Sequence, residues 1–289
     1  MKKILFTIFT ENFSWGVGIL ASLAQEYGWE VDILYIPKNG GYELFIEKSQ
    51  DYHPDLLAIS FMSYDRKRAL DVAAHAKKMG IKAICGGVHP TFMAKDVAHM
   101  DLFNAIVVGD GTGVWKDILD NCNNLPINTV IKGKGNPDKT LYTKQFYSSS
   151  QIEDMKQSKT AMLLSSYGCP FKCSFCASSS LKYLANKPEE IVDMMSRIYN
   201  EYGVNNFQFF DDLFASTAQR CRNIHNKVIE HFGVQANIKY GNFVMARASG
   251  FNKAIAAELV KMGVECVNFG IETASPKLLK FLRKGQTYE

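Results

Sequence analysis

The sequence has no apolar run near the roughly 20 residues that a membrane-spanning helix requires. It also has little net charge, since 33 basic and 29 acidic side chains leave +4, which gives no indication of nucleic-acid binding. The apolar start, Lys3–Phe9, is too short for a secretory signal peptide, because Glu11 and Asn12 follow it. We therefore expect a cytoplasmic protein without a membrane span, whose seven cysteines are reduced thiols or metal ligands.

Apolar residues make up 47% of the 289 residues, which is enough for sizeable cores, and this length favours two domains. Residues 1–122 alternate short apolar strands with helices. The predicted strands are Lys3–Phe9, Val31–Ile36, Leu56–Phe61, Ala83–Cys85 and Ala105–Val108, and the predicted helices include Val17–Tyr27 and Asp65–Met79. Buried strands separated by amphipathic helices predict a flavodoxin-like, doubly wound parallel sheet, which is an α/β fold.

The second half of the chain has a different organisation. Residues 123–159 show little periodicity and several Gly, Asn and Ser clusters, so we predict a linker there, with or without a short hairpin. Alternation resumes in residues 160–289, where four βα units are predicted. Their strands are Ala161–Ser165, Asn206–Phe210, Ile238–Val244 and Cys266–Gly270, and their helices are Pro188–Tyr202, Ser216–Phe232, Asn252–Met262 and Ser275–Arg283.

The motif that indicates chemistry is a cysteine triad directly after the first strand of this second half. Cys169, Cys173 and Cys176 have the spacing C-x₃-C-x₂-C in a loop that Tyr167 and Gly168 open. Thiolates are the ligands that zinc and iron–sulfur clusters prefer. A structural zinc site needs four ligands, and the remaining cysteines lie on a helix, in the first domain or at the far end of a strand. Three ligands leave one metal position open for a substrate or cofactor.

This triad at the end of a first barrel strand resembles the radical S-adenosylmethionine (SAM) superfamily. The resemblance implies that Cys169, Cys173 and Cys176 hold a 4Fe–4S cluster whose fourth iron SAM chelates. It also implies that the reduced cluster cleaves SAM to a 5′-deoxyadenosyl radical, which abstracts a hydrogen atom. The superfamily core is a (β/α)6 barrel, so four units predict a partial barrel that is truncated at its C terminus. A truncated barrel puts the activity of this chain alone in question.

Further motifs follow in the order that the resemblance requires. Phe175 stands where relatives contact the adenine, and Asp211 and Asp212 match an Asp-Asp segment near the SAM amino group. Arg247 falls where relatives pair an arginine with SAM, and Glu272 belongs to a Gly-Ile-Glu-x-x-Ser…Lys-Gly signature that approaches the ribose or the amine. Carboxylates suit the ammonium and hydroxyl groups of SAM, and a guanidinium suits its carboxylate.

The first domain carries turns that resemble those of cobalamin-binding domains fused to radical SAM barrels. The residues that this resemblance assigns to cobalamin are Ser60, Ser63, Gly86, Gly87, His89, Gly109 and Gly111. Glycines let the backbone approach a large flat ligand, and these turns follow strands at the edge where open α/β sheets bind ligands. The cobalt-coordinating motif Asp-x-His-x-x-Gly is missing after the first strand, and His53 is not expected to be the lower ligand.

These observations predict a radical SAM enzyme, including the option of cobalamin-dependent methyl transfer. Two alternatives stay open: a non-catalytic module that binds a metal or cluster, and a radical SAM enzyme without cobalamin. The resemblance implies a small-molecule substrate and a low-potential electron donor of the flavodoxin or ferredoxin type. It identifies neither the substrate nor the donor.

Overall fold

The computed structural model describes residues 1–10, 13–136 and 143–286. The chain divides into two compact units, Met1–Ser148 and Ser149–Glu289, and each is described by itself. Glu11 and Asn12, on which part of the signal-peptide argument depends, and residues 137–142 of the predicted linker lie outside the described residues. Within the described ranges, every helix is too short or too polar to span a bilayer.

The first unit is built on a parallel sheet in the order β2-β1-β3-β4-β5-β6. Its strands are β1 (Lys3–Ile8), β2 (Glu30–Tyr35), β3 (Leu56–Ser60), β4 (Lys82–Gly86), β5 (Ala105–Val108) and β6 (Thr129–Lys132). Its helices are α1 (Trp15–Glu26), α2 (Glu43–Tyr52), α3 (Arg66–Lys78), α4 (Val88–Ala98) and α5 (Trp115–Asn121). Strands β1, β3, β4 and β5 are almost entirely buried because helices pack on the sheet. The predicted flavodoxin-like order is confirmed, with its switch point between β1 and β3.

The structure adds elements that the sequence pattern did not indicate. Strand β6 lies inside the predicted linker and pairs with β5, so the sheet has six strands rather than five. It was missed because it is a four-residue edge strand whose side chains are only partly buried. Helix α4 begins directly after Gly87, in a segment that was interpreted as a turn because of its glycines and Pro90. Proline is compatible with the first turn of a helix, where its missing N–H is not needed.

The second unit contains short parallel strand pairs followed by helices. Its strands are β7 (Thr160–Leu163), β8 (Ser166–Tyr167), β9 (Leu184–Ala185), β10 (Asn206–Phe209), β11 (Val244–Ala246) and β12 (Val267–Phe269). Its helices are α6 (Ser149–Ser158), α7 (Pro188–Tyr202), α8 (Ala218–Phe232), α9 (Lys253–Lys261) and α10 (Pro276–Phe281). Strand β7 pairs with β10 and β11 pairs with β12, while a bridge from Asn206 to Lys239 joins β10 to the segment before β11. The four predicted βα units are present as a partial barrel, but the third strand is Val244–Ala246 and not the predicted Ile238–Val244. Gly241, with a φ of 74°, interrupts the extended backbone there, and Lys239 makes only an isolated bridge.

The predicted linker differs from what the structure contains. Besides β6, residues 123–159 include helix α6, which packs on α7 and β7. The division of the chain falls between Ser148 and Ser149, eleven residues before the predicted start of the second domain at 160. The boundaries at 122 and 160 therefore stay sequence-based proposals.

Candidate functional site

The cysteine triad lies in the loop between β8 and β9, which pair with each other in antiparallel fashion. Cys173 is buried, whereas Cys169 and Cys176 are partly exposed. The Cys176 N–H donates to the Cys173 carbonyl at 3.2 Å, which folds the second half of the motif into a tight turn. Burial raises the pKa of the Cys169 thiol, and the charges of nearby Asp212, Cys176 and Cys173 add to this shift. The three thiols therefore lie in one electrostatic neighbourhood.

The arrangement of these thiols is not that of a single-ion site. Among the described residues, no group of three or more His, Cys, Asp or Glu side chains is arranged to hold one metal ion. In a 4Fe–4S cluster the thiolates instead bind separate irons, so they stand further apart than ligands that share one zinc ion. The donor set, three thiols at one loop, fits such a cluster.

Arg247 approaches the cysteine loop from the end of β11. Its guanidinium lies 3.7 Å from the centre of the Phe171 ring, and its Nε donates to the Ser249 hydroxyl at 2.6 Å. The residue is only 8% exposed, and its Nη2 is buried without a hydrogen-bond partner. A buried guanidinium nitrogen without an acceptor is costly unless a ligand supplies one. Arg247 is therefore prepared to bind an anionic group beside the cysteines.

Glu272 approaches the same loop in the company of Lys284. The Lys284 Nζ donates to Glu272 Oε1 at 2.9 Å and lies 5.5 Å from the centre of the Phe175 ring. Lys284 is buried, while Glu272 is exposed and so accessible to a ligand. Gly270 permits this pair, because a Cβ there would come within 2.8 Å of Glu272 Oε1 and 3.0 Å of Lys284 Nζ. The sequence indicates Lys284 only as the lysine of the Gly-Ile-Glu-x-x-Ser…Lys-Gly signature. Its burial beside Phe175 depends on contacts between residues that are distant along the chain.

The turn after α10 also binds the loop directly. The Ser174 N–H donates to the Leu282 carbonyl at 3.0 Å. The residues between the cysteines are therefore contacted at Phe171, Ser174 and Phe175 by groups that come from the third and fourth βα units. The predicted SAM residues Phe175, Arg247 and Glu272 are brought together around the triad.

The two adjacent aspartates, both predicted to contact SAM, have opposite environments. Asp212 is exposed, and its charge helps to raise the pKa of the Cys169 thiol, so it lies near the cysteine loop. Asp211 is fully buried and accepts hydrogen bonds from Ser165 and Ser166. Burial raises the pKa of Asp211, and the serine hydroxyls oppose this shift. The expectation of a direct SAM contact therefore needs correction at Asp211, because its oxygens already have partners and no exposed surface.

In the first unit, the predicted cobalamin turns meet at the C-terminal edge of β3, β4 and β5. A Cβ at Gly87 would come within 2.7 Å of the Ser60 hydroxyl and 3.0 Å of the Phe61 nitrogen. The Thr91 hydroxyl donates to the Gly87 carbonyl at 2.7 Å and accepts the Gly109 N–H at 3.0 Å. Gly109 is exposed, and a Cβ there would meet nothing closer than 4.0 Å. Two of the predicted glycine turns are therefore joined into one edge with open backbone.

The Gly109–Gly111 turn is closed by its own aspartate. Asp110 Oδ1 accepts the backbone N–H of Thr112 at 3.0 Å and the Thr112 hydroxyl at 2.7 Å. A Cβ at Gly111 would come within 3.3 Å of Val107, so the turn packs against the strand from which it emerges. The turn is thereby fixed next to the Gly87 segment.

The two candidate histidines of this unit lie at opposite edges of the sheet. His89 is 5% exposed, and its Nδ1 lies 3.0 Å from the Ser63 hydroxyl while its Nε2 faces Asp96 Oδ2 at 3.5 Å. The ring lies between the β3 and α4 segments, and its buried Nε2 has no hydrogen-bond partner, so contact of His89 with cobalamin stays a prediction. His53 precedes β3 and so lies at the opposite edge of the sheet.

Apolar side chains project from the segments that follow β3 and β4. Met62 is 42% exposed, Tyr64 81%, Phe92 56% and Met93 49%. Exposed apolar groups beside open glycine turns are typical of a binding surface. The residues at this edge therefore fit a large, partly apolar ligand such as a corrin.

Comparison with protein families agrees with this division of the chain. Residues 1–119 match the B12 binding domain, and residues 163–289 match the Radical SAM superfamily. The residues that were predicted to bind cobalamin fall in the first range, and the cysteines fall in the second.

Curated relatives and solved structures point the same way. The chain is 26% identical over 259 residues to an uncharacterized methyltransferase of Pyrococcus horikoshii, with 82% of this chain and 55% of the relative covered. It is 26% identical over 285 residues to the bacteriochlorophyllide d C-12(1)-methyltransferase of Chlorobaculum tepidum, with 94% and 59% covered. The chain thus spans little more than half the length of these relatives. The cobalamin-dependent SAM radical enzyme OxsB, solved with aqua-cobalamin and SAM, has a TM-score of 0.74 at 15% identity over 100% of this chain and 46% of its own, which shows a shared fold.

Proposed function

We propose that this chain, whose residues 1–119 match the B12 binding domain and whose residues 163–289 match the Radical SAM superfamily, takes part in cobalamin-dependent radical SAM methylation. Methyltransferases among its relatives support the reaction type. The substrate is a small molecule, and the reaction needs a low-potential reductant of the flavodoxin or ferredoxin type. The chain covers 59% or less of those two relatives, so this proposal concerns the part of the reaction that these residues perform.

One observation carries the proposal: a buried guanidinium with one unpartnered nitrogen and an accessible carboxylate converge on the loop that bears the three thiols. SAM offers a carboxylate, an ammonium, a ribose and an adenine within one molecule. Arg247 Nη2 supplies a donor for the carboxylate, and Glu272 supplies acceptors for the ammonium or the ribose hydroxyls. The 51%-exposed Phe175 ring offers a surface for the adenine, and Asp212 adds a second carboxylate near Cys169.

Cys169, Cys173 and Cys176 would hold the 4Fe–4S cluster, which when bound supplies the electron that cleaves SAM to methionine and a 5′-deoxyadenosyl radical. The protein's contribution is to orient SAM. Lys284 holds Glu272 through a 2.9 Å ion pair, and Ser249 fixes the Arg247 guanidinium plane, so both SAM-binding groups have defined positions before the ligand arrives.

The test of this arrangement is the electron paramagnetic resonance (EPR) spectrum of the reduced cluster. The chain is reconstituted anaerobically with iron and sulfide, reduced with dithionite, and measured with and without SAM. We expect SAM to change the spectrum, because it binds at the iron that has no cysteine ligand. S-adenosylhomocysteine, which has no charged sulfonium, serves as the comparison ligand. An identical spectrum with and without saturating SAM would contradict the proposed site.

The cobalamin half of the proposal is tested at Gly87. This residue has φ 95° and ψ −168°, a conformation almost restricted to glycine, and a Cβ would collide with Ser60. Gly87→Ala is expected to destabilise the first unit by about 1–3 kcal/mol and to lose most of the corrin absorbance that the wild-type chain retains after refolding with hydroxocobalamin.

Gly16→Ala is the matched control for Gly87→Ala. Gly16 lies in the first turn of α1, and a Cβ there would meet nothing within 4 Å. We expect this variant to retain corrin as the wild type does. Equal retention by wild type, Gly16→Ala and Gly87→Ala would contradict a site at the glycine turns.

A radical SAM enzyme without cobalamin is the second candidate. It is favoured by the sequence after β1, which lacks the Asp-x-His-x-x-Gly motif that coordinates cobalt. A wild-type chain that retains no corrin after refolding, yet changes its EPR spectrum with SAM, would support this candidate over the first.

A further inference from the structure

A buried polar network joins the start of the cysteine loop to the end of β10. Asp211 is the second residue after this strand and is fully buried. Its Oδ2 accepts the Ser165 backbone N–H at 2.9 Å, and its Oδ1 accepts the hydroxyls of Ser165 at 2.7 Å and Ser166 at 2.6 Å. Ser165 precedes β8 and Ser166 begins it, and β8 leads into the cysteine loop.

The same network reaches the other end of the loop. Arg220, on α8, donates from Nη2 to the Ser165 carbonyl at 2.7 Å and to the Ser165 hydroxyl at 2.8 Å. Its Nη1 donates to the Asn186 carbonyl at 3.3 Å, and the Asn186 N–H donates to the Ser165 carbonyl at 3.0 Å. Asn186 directly follows β9, so the two strands that bracket the loop are tied together at Ser165.

The strands alone are too short to fix this loop. β8 and β9 have two residues each, and an isolated pair of that length contributes little stability. Hydrogen bonds to a charged acceptor are stronger than neutral ones, and removal of one partner from a buried network leaves the others unsatisfied. The carboxylate of Asp211 is the group on which three of these bonds converge.

We propose that Asp211 is a positioning residue that anchors the start of the cysteine loop through Ser165 and Ser166, and thereby sets where the three thiols stand for cluster assembly. It acts through the loop and does not touch SAM, whereas its neighbour Asp212 lies near Cys169. The role of the loop as a cluster site rests on the proposed function, but the anchoring itself can be measured on the chain without any cluster.

The experiment is hydrogen exchange on the full chain before reconstitution, with wild type, Asp211→Asn and Asp193→Asn compared. Asparagine keeps the shape of Asp211 but turns one acceptor into a donor that faces serine donors. We expect exchange in residues 166–186 to become about tenfold faster, with α9 unchanged. Asp193 is an exposed aspartate on α7, so its variant should exchange like the wild type.

Two further readouts separate positioning from general stability. Reconstituted Asp211→Asn is expected to bind less iron, and the iron that it does bind should give a reduced-cluster EPR spectrum that differs from the wild type. Ser166→Ala removes a single bond to Asp211 and keeps the carboxylate, so it should accelerate exchange in the same segment by a smaller factor. Ser166→Ala also decides the proposal if Asp211→Asn does not fold.

Unchanged exchange in residues 166–186 of both Asp211→Asn and Ser166→Ala would overturn the proposal. An acceleration of exchange that extends equally to α9 would also overturn it. Failure of the wild-type chain to assemble any cluster would instead count against the proposed function. The exchange comparison would still decide whether Asp211 anchors the loop, so the two failures are distinguishable.

Discussion

Replacing Cys176 with alanine is expected to reduce cluster content after anaerobic reconstitution to less than about a tenth of the wild-type value. The three thiols are the cysteines of one loop, whereas Cys221 of the same unit is buried on α8. With two ligands left, the cluster loses one iron anchor. Iron and sulfide content, with the absorbance near about 400 nm, measures the effect.

Cys266→Ala is the matched control for this loss. Cys266 is exposed beside β12, and its thiol donates to Asn268 Oδ1 at 3.6 Å. We expect this variant to assemble as much cluster as the wild type. A Cys176→Ala chain with wild-type iron content and absorbance would contradict the assignment of the triad.

Replacing Arg247 with glutamine is expected to weaken SAM binding by about tenfold to a hundredfold. The guanidinium is buried against Phe171 and has one nitrogen without a partner, so the SAM carboxylate would gain charge-assisted hydrogen bonds that glutamine cannot reproduce. The cluster itself should assemble normally, because Arg247 touches the loop through a ring and not through a thiol. Titration of the SAM-induced EPR change gives the dissociation constant.

Arg222→Gln serves as the control for the loss of an arginine. Arg222 is about half exposed and pairs with Glu258 at 2.9 Å, and Lys261 also binds that carboxylate. Its removal should leave SAM affinity unchanged. If Arg247→Gln binds SAM as tightly as Arg222→Gln does, the guanidinium of Arg247 does not bind the SAM carboxylate.

The sequence predicted the buried parts of the fold well and the polar parts less well. The five strands predicted for the first unit and helix Pro188–Tyr202 were located within about two residues, because apolar runs and helical periodicity reflect burial directly. Strand β6 escaped because an edge strand needs no such run. Helix α4 escaped because glycine and proline signals at its first turn resemble those of a loop.

For the site, the residue types and their order along the chain predicted the triad, Arg247 and Glu272, but not how they are held. Asp211 lies 46 residues from Ser165, and no local pattern distinguishes its buried carboxylate from the exposed one of Asp212. The pairing of Lys284 with Glu272 likewise depends on Gly270 and on the Phe175 ring. Such partners are visible only once distant segments are brought together.

The most direct test of the central claim is the formation of 5′-deoxyadenosine from SAM. The reconstituted wild-type chain is incubated anaerobically with dithionite and SAM, and the product is quantified by chromatography and mass spectrometry, with Cys176→Ala in parallel. We predict 5′-deoxyadenosine and methionine in equal amounts from the wild type and none from the variant. A wild-type chain that carries a full cluster, binds SAM and still forms no 5′-deoxyadenosine would contradict the proposed function and leave a non-catalytic cluster-binding module.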